Sequence, residues 1–170
     1  MSKNNDTFSI GEYITDFENI YQIFDKKIKQ NYSGKKSECL FYCSVKNGIS
    51  NKQVTCSTPV ENMSKSGLRR LIEKKEVNNL LKQLEEKYKE DNFTDPKLIK
   101  EILYLDNPSK NIDLLKQLYF EKNKSPETFS RTNKELTENI LTHLSEEIAL
   151  VTKKPIATIK TKIVSILSKI

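Results

Sequence analysis

The apolar positions of this chain change period across residues 52–71, KQVTCSTPVENMSKSGLRRL. Before that stretch, β-branched and aromatic residues cluster in short runs, the pattern of strands. After it, apolar residues return at three- and four-residue spacing, which marks one face of a helix. Four strands are predicted: Phe8 to Thr15, Ile20 to Lys29, Glu38 to Lys46 and Gln53 to Val60. Asn47-Gly48 reads as a hairpin turn between the last two, because both residue types tolerate positive φ. Tyr32-Ser33-Gly34, followed by Lys35 and Lys36, reads as a polar turn. Pro59 removes a ladder donor, so the last strand ends near it or lies at an edge. Roughly fifty residues bury only a small core, so such a module is marginally stable alone.

From Ile72 onward, Val77, Leu80, Leu81, Leu84 and Tyr88 line one helix face. Asp95-Pro96, Asn107-Pro108 and Ser125-Pro126 each place a capping side chain before a proline, the signature of a helix start. The helix from Pro96 carries Leu98, Ile99, Ile102 and Leu103, and the helix from Pro108 carries Ile112, Leu115, Leu118 and Tyr119. A long helix follows with Leu136, Ile140, Leu144, Ile148 and Val151. Lys153-Lys154-Pro155 ends it and opens the last, which carries Ile156, Ile159, Ile163, Ile166 and Ile170. The expected fold is α+β in two modules: a small antiparallel β-module over 1–71 and an all-α bundle of about five helices over 72–170.

Composition narrows the function. No apolar run approaches the roughly 18 residues of a membrane span. The opening MSKNNDTFSI lacks the apolar core of a signal peptide, so residues 1–6 read as a frayed tail and a cytoplasmic location is expected. Cys39, Cys43 and Cys56 have no framework spacing. Cys39 and Cys43 lie four apart in a strand and read as small buried hydrophobes on one face. The single histidine, His143, reads as a structural or solvated helix residue. With one histidine and four glycines, neither a His-based triad nor a Gly-rich phosphate loop is readable. Glu85-Glu86 and Glu146-Glu147 read as solvated helix faces. No catalytic residue, metal site or cofactor is expected, and the chain reads as a binding protein rather than an enzyme.

The net charge of +6 is uneven. Residues 1–75 hold 13 Lys+Arg against 8 Asp+Glu, whereas residues 76–170 hold 16 against 15. A nucleic-acid surface on the helical half must therefore be a local patch. One candidate is the stretch from Ile148 to Ile170, with Lys153, Lys154, Lys160, Lys162, Lys169 and no acid.

Three stretches carry a family resemblance. Phe8-x-Ile10-Gly11-Glu12 opens the chain with an aromatic and an apolar-Gly-acid turn. Gln53-Val54 through Pro59-Val60, then Ser66-Gly67-Leu68-Arg69, form a last strand and an exit into helices. Phe129-Ser130-x-x-Asn133-Lys134-x-Leu136 runs to Ser145-Glu146-Glu147-Ile148-Ala149-Leu150. In this order they resemble the CarD/CdnL family of bacterial transcription regulators, whose first module is shared with the transcription-repair coupling factor. The resemblance implies a Tudor-like β-barrel that docks on the β-subunit lobe of bacterial RNA polymerase. It also implies a monomer whose helical module lies on promoter DNA at the upstream edge of the melted bubble and holds the open complex. An aromatic wedge in the minor groove would offset the cost of unstacking by burial, and most contacts would go to phosphate, without sequence specificity.

The family wedge is a tryptophan, and this chain has none. Phe93 is the nearest aromatic, within one residue of that place; its other reading is a loop aromatic capping the helical core. The resemblance makes Phe93, Lys134, Lys89 and Lys97 the candidate DNA contacts. For polymerase binding the candidates are Lys26, Lys27, Lys35, Lys36 and Ser57, on an exposed strand edge that a partner strand could extend. Arg69-Arg70 reads as a brace between modules. The alternatives are a polymerase-binding adaptor without DNA contact and a protein–protein scaffold outside transcription.

Overall fold

The computed structural model describes residues 8–30, 33–46, 49–87 and 96–169, with backbone alone for 51–53 and 96. The chain divides into two compact units, one of 1–15 and 19–70, the other of 16–18 and 71–170.

The first unit is an antiparallel sheet of β1 (Tyr13–Thr15), β2 (Ile20–Gln30), β3 (Lys36–Lys46), β4 (Ile49–Pro59) and β5 (Arg69–Arg70). The strands lie in the order β4-β3-β2-β1-β5, and the sheet is open, with β4 and β5 as its edges. Its core is Phe8, Ile14, Ile23, Leu40, Tyr42, Met63 and Leu68. Tyr21 meets Tyr42 edge-on at 5.1 Å between ring centroids. The first strand is shorter than its apolar pattern predicts. Gly11 sits at φ +89, and Glu12 closes a turn by accepting from Ser9 N at 2.8 Å. Gly11 N still donates to Ile23 O at 2.7 Å, so the turn stays tied to β2. Two 3-10 turns, Val60–Asn62 and Ser64–Ser66, and Gly67 at φ +69 lead into β5. The sequence reading missed β5 because two arginines carry no apolar alternation. Asn47-Gly48 and Tyr32 lie outside the described residues.

The helical unit contains α1 (Lys74–Glu85), α2 (Pro96–Leu105), α3 (Pro108–Lys124), α4 (Arg131–Thr152) and α5 (Ile156–Leu167). Asn107 caps α3 by accepting from Ser109 N and Lys110 N, with Pro108 at the first helical position. Asp95, expected to cap α2, lies outside the described residues. Ser125-Pro126 does not start a helix. Ser125 ends α3, 126–128 turn, and Ser130 caps α4 by accepting from Asn133 N at 3.1 Å. A proline there stops the preceding helix as readily as it would start another. Lys153, at φ 56, ends α4, and Pro155 opens α5.

The helical core gathers Leu84 of α1, Ile112 and Leu115 of α3, Ile140 and Leu144 of α4 and Ile163 of α5 around one centre. Several polar groups are buried with it. Asn111 Nδ2 donates to Asp106 Oδ1 at 2.9 Å, and His143 Nε2 lies 3.5 Å from Asp106 Oδ2. His143 is therefore a core residue, with Phe17 tilted against it at 6.1 Å. Glu147 is fully buried, which corrects the reading of Glu146-Glu147 as a solvated face. α4 is buried at Ile140, Leu141, His143, Leu144, Ser145, Glu147, Ile148 and Ala149, a broad arc rather than a stripe, so Glu147 falls inside. Among the described residues no helix is long and apolar enough to cross a membrane.

Candidate functional site

The β-unit presents β4 as an eleven-residue edge strand. It pairs antiparallel with β3, in a register that sets Cys56 opposite Tyr42, Ser57 opposite Phe41 and Pro59 opposite Cys39. Its other side meets no strand among the described residues, and Val54, Thr55, Cys56 and Ser57 are exposed. From Val54 to Pro59 it carries no charged side chain. An exposed, uncharged stretch of edge strand is a template for an added strand, since its outward N–H and C=O groups need partners. Pro59 closes the ladder with a residue that has no donor.

A bulge decides what stands beside this edge. Ile23 pairs with Tyr42, but Asp25 pairs with Phe41, so Phe24 is an extra residue. The one-residue shift inverts the facing of everything after it on β2. Lys27 and Lys29 consequently share the face of Phe41, with Nζ 5.4 Å and 4.5 Å from its ring centroid. Phe24 lies 6.5 Å from the same ring, and Ser57 faces Phe41 across β4. Lys27 also pairs with Asp25 at 2.7 Å, and that hydrogen bond lowers the Asp25 carboxyl below its ordinary value. Cys39 and Cys43 are buried, whereas Cys56 is exposed.

Lys26 faces the other way. Its Nζ donates to Phe8 O at 2.7 Å and lies 3.1 Å from Glu38. Lys35 is 2.6 Å from Glu61, tying the β2–β3 turn to the first 3-10 turn. Lys36 is exposed, opposite Gln30 at the start of β3. The five expected polymerase-binding residues thus separate: Lys27 and Ser57 share a face, Lys26 and Lys35 hold the unit together, and Lys36 stands at the hairpin end. Sequence reading missed Phe41 and Lys29, whose signal is the alternation of Lys27 with Lys29 and of Cys39, Phe41 and Cys43.

Arg70 Nε donates to Glu12 at 2.7 Å and its guanidinium lies 4.3 Å from the Phe8 ring centroid, both within the β-unit. In the helical unit Lys134 is exposed in the first turn of α4 and Lys97 is exposed on α2. Phe93 and Lys89 lie outside the described residues. A groove of ≈ 620 Å³ runs between α2, α3 and α4 over Ile99, Leu103, Leu118 and Leu136. Among the described residues no group of three His, Cys, Asp or Glu side chains could hold a metal ion. No protein-family model matches the chain, and no curated protein matches it in sequence.

Proposed function

We propose that this chain is a non-enzymatic transcription regulator of the CarD/CdnL type. Its β-unit binds the β-subunit lobe of bacterial RNA polymerase by adding a partner strand to β4. The observation that carries this reading is the edge itself: eleven residues long, exposed from Val54 to Ser57 and uncharged from Val54 to Pro59. Backbone pairing would give affinity, and the neighbouring Phe41, Lys27 and Lys29 would give selectivity. The strand order, with 3-10 turns leading into a fifth strand on β1, supports reading the sheet as a Tudor-like barrel opened between β4 and β5. The helical unit would then lie on promoter DNA at the upstream bubble edge, with Lys134, Lys97, Lys89 and Phe93 as contacts. A pulldown with the isolated β-subunit lobe tests the first step. The wild-type chain should retain the lobe, and a Val54→Glu/Ser57→Glu variant should lose it while keeping its circular dichroism. Absence of wild-type binding, or equal binding by the variant, would overturn the reading.

A further inference from the structure

We infer that the outward face of α5 is a docking surface for the phosphate backbone of duplex nucleic acid. Charge sorting sets this helix apart. The exposed surfaces of the other helices mix signs, as in Lys75 with Glu73 on entry to α1 and Arg131 with Glu135 on α4. From Ile148 to Ile170 there is no acid at all. Ile159, Ile163 and Leu167 turn α5 into the core. Opposite them on α5 lie Thr158, Thr161, Lys162 and Ser165, and Lys154 and Lys169 flank the helix just before and just after it, all exposed. Lys160, off this stripe, is the lysine of α5 that answers an acid, at 3.0 Å from Glu138.

The stripe alternates ammonium groups with hydroxyls, the donor set that phosphate oxygens take from proteins. At 1.5 Å per residue the twelve residues of α5 extend about 18 Å, enough to follow several phosphates of one strand. An anionic membrane fits less well. A helix that lies in a lipid surface needs a free apolar face, and the apolar face of α5 is already buried. Large apolar side chains are scarce on the exposed side, where Val164 is 36% exposed. The inference does not rest on polymerase binding, and a chain that ignores the β-lobe would still hold duplex through α5.

Fluorescence anisotropy with a labelled random-sequence duplex tests it, read against salt concentration. Three lysine–phosphate contacts contribute about 2.7 to the slope of log K against log salt, or about 40-fold between roughly 50 and 200 mM. Lys154→Gln/Lys162→Gln/Lys169→Gln should lose that part of the slope. The corresponding Lys→Arg triple should keep it. Lys74→Gln/Lys82→Gln/Lys100→Gln, with the same net charge change on α1 and α2, should bind almost as wild type. Equal weakening in both Gln triples, or a wild-type chain that leaves the duplex unbound, would overturn the proposal. So would wild-type binding to phosphatidylserine vesicles, lost in the α5 triple, that exceeds its binding to the duplex.

Discussion

The Glu147 carboxylate accepts a hydrogen bond from the backbone N–H of Ile72 at 2.8 Å, across 75 residues of sequence. Ile72 opens the helical unit and Glu147 lies fully buried on α4, so the bond anchors the entry segment to the central helix. A buried N–H left without an acceptor costs about 1–3 kcal/mol, and bonds to charged groups lie at the upper end. Glu147→Leu should therefore destabilise the helical unit by about 2–3 kcal/mol, and Glu147→Gln, which keeps an acceptor, by about half of that. Urea unfolding followed by circular dichroism would measure both. Equal stability of the Leu variant and wild type would remove the anchoring role.

Helix caps give a sharper comparison. Asn107 and Ser130 each accept from backbone N–H groups of the helix they open, whereas Ser125 only ends α3. Asn107→Ala and Ser130→Ala should each cost about 1 kcal/mol. Ser125→Ala should stay within about 0.5 kcal/mol, the range of ordinary surface changes. Thermal unfolding of the three variants, run side by side, separates true helix starts from a proline that merely follows a helix.

These cases show where sequence was informative. Proline and capping residues punctuate the helices, and apolar stripes such as Leu136, Ile140, Leu144 and Ile148 identify a buried face directly. Burial on a wider arc is invisible to a stripe, which is why Glu147 reads as solvent-facing and yet lies inside. Lys116 on α3 repeats the lesson from within the buried run Leu114 to Tyr119. In the β-unit, alternation places Phe41, Cys39 and Cys43 on one face. The bulge at Phe24 then decides that Lys27 and Lys29, and not Lys26, join them. A single inserted residue leaves no composition signal, and neither does a two-residue strand such as β5.

The basic and aromatic face beside β4 gives a prediction that separates stability from recognition. Phe41 is half-buried beneath Lys27 and Lys29. Phe41→Leu keeps most of the burial but removes the ring, and exposed cation–π contacts are worth about 0.5–1 kcal/mol each. The variant should lose no more than about 2 kcal/mol of stability and remain folded, yet hold the polymerase lobe less tightly. Isothermal titration against the lobe, with unfolding measured on the same sample, distinguishes the two. Unchanged affinity would confine Phe41 to a packing role.

Lys116 links burial to pH. Its ammonium is buried in α3 and donates to Gln83 O at 2.8 Å and to Glu86 O at 2.6 Å, closing the end of α1. Desolvation holds its pKa below the ordinary lysine value of 10.5, although Asp113 and Glu86 oppose the shift. A lysine whose folded pKa is depressed binds fewer protons folded than unfolded between the two values. Stability therefore rises with pH through that alkaline window, and is level in this respect below the folded pKa and above 10.5. Lys116→Met removes the titration and leaves two carbonyls without their donor, which should cost about 1–2 kcal/mol at neutral pH. The deficit should widen as pH climbs through the window, because only the wild type gains there. Urea midpoints of both proteins from pH 7 to 11 would show the divergence, and parallel curves would mean that Lys116 does not titrate with folding.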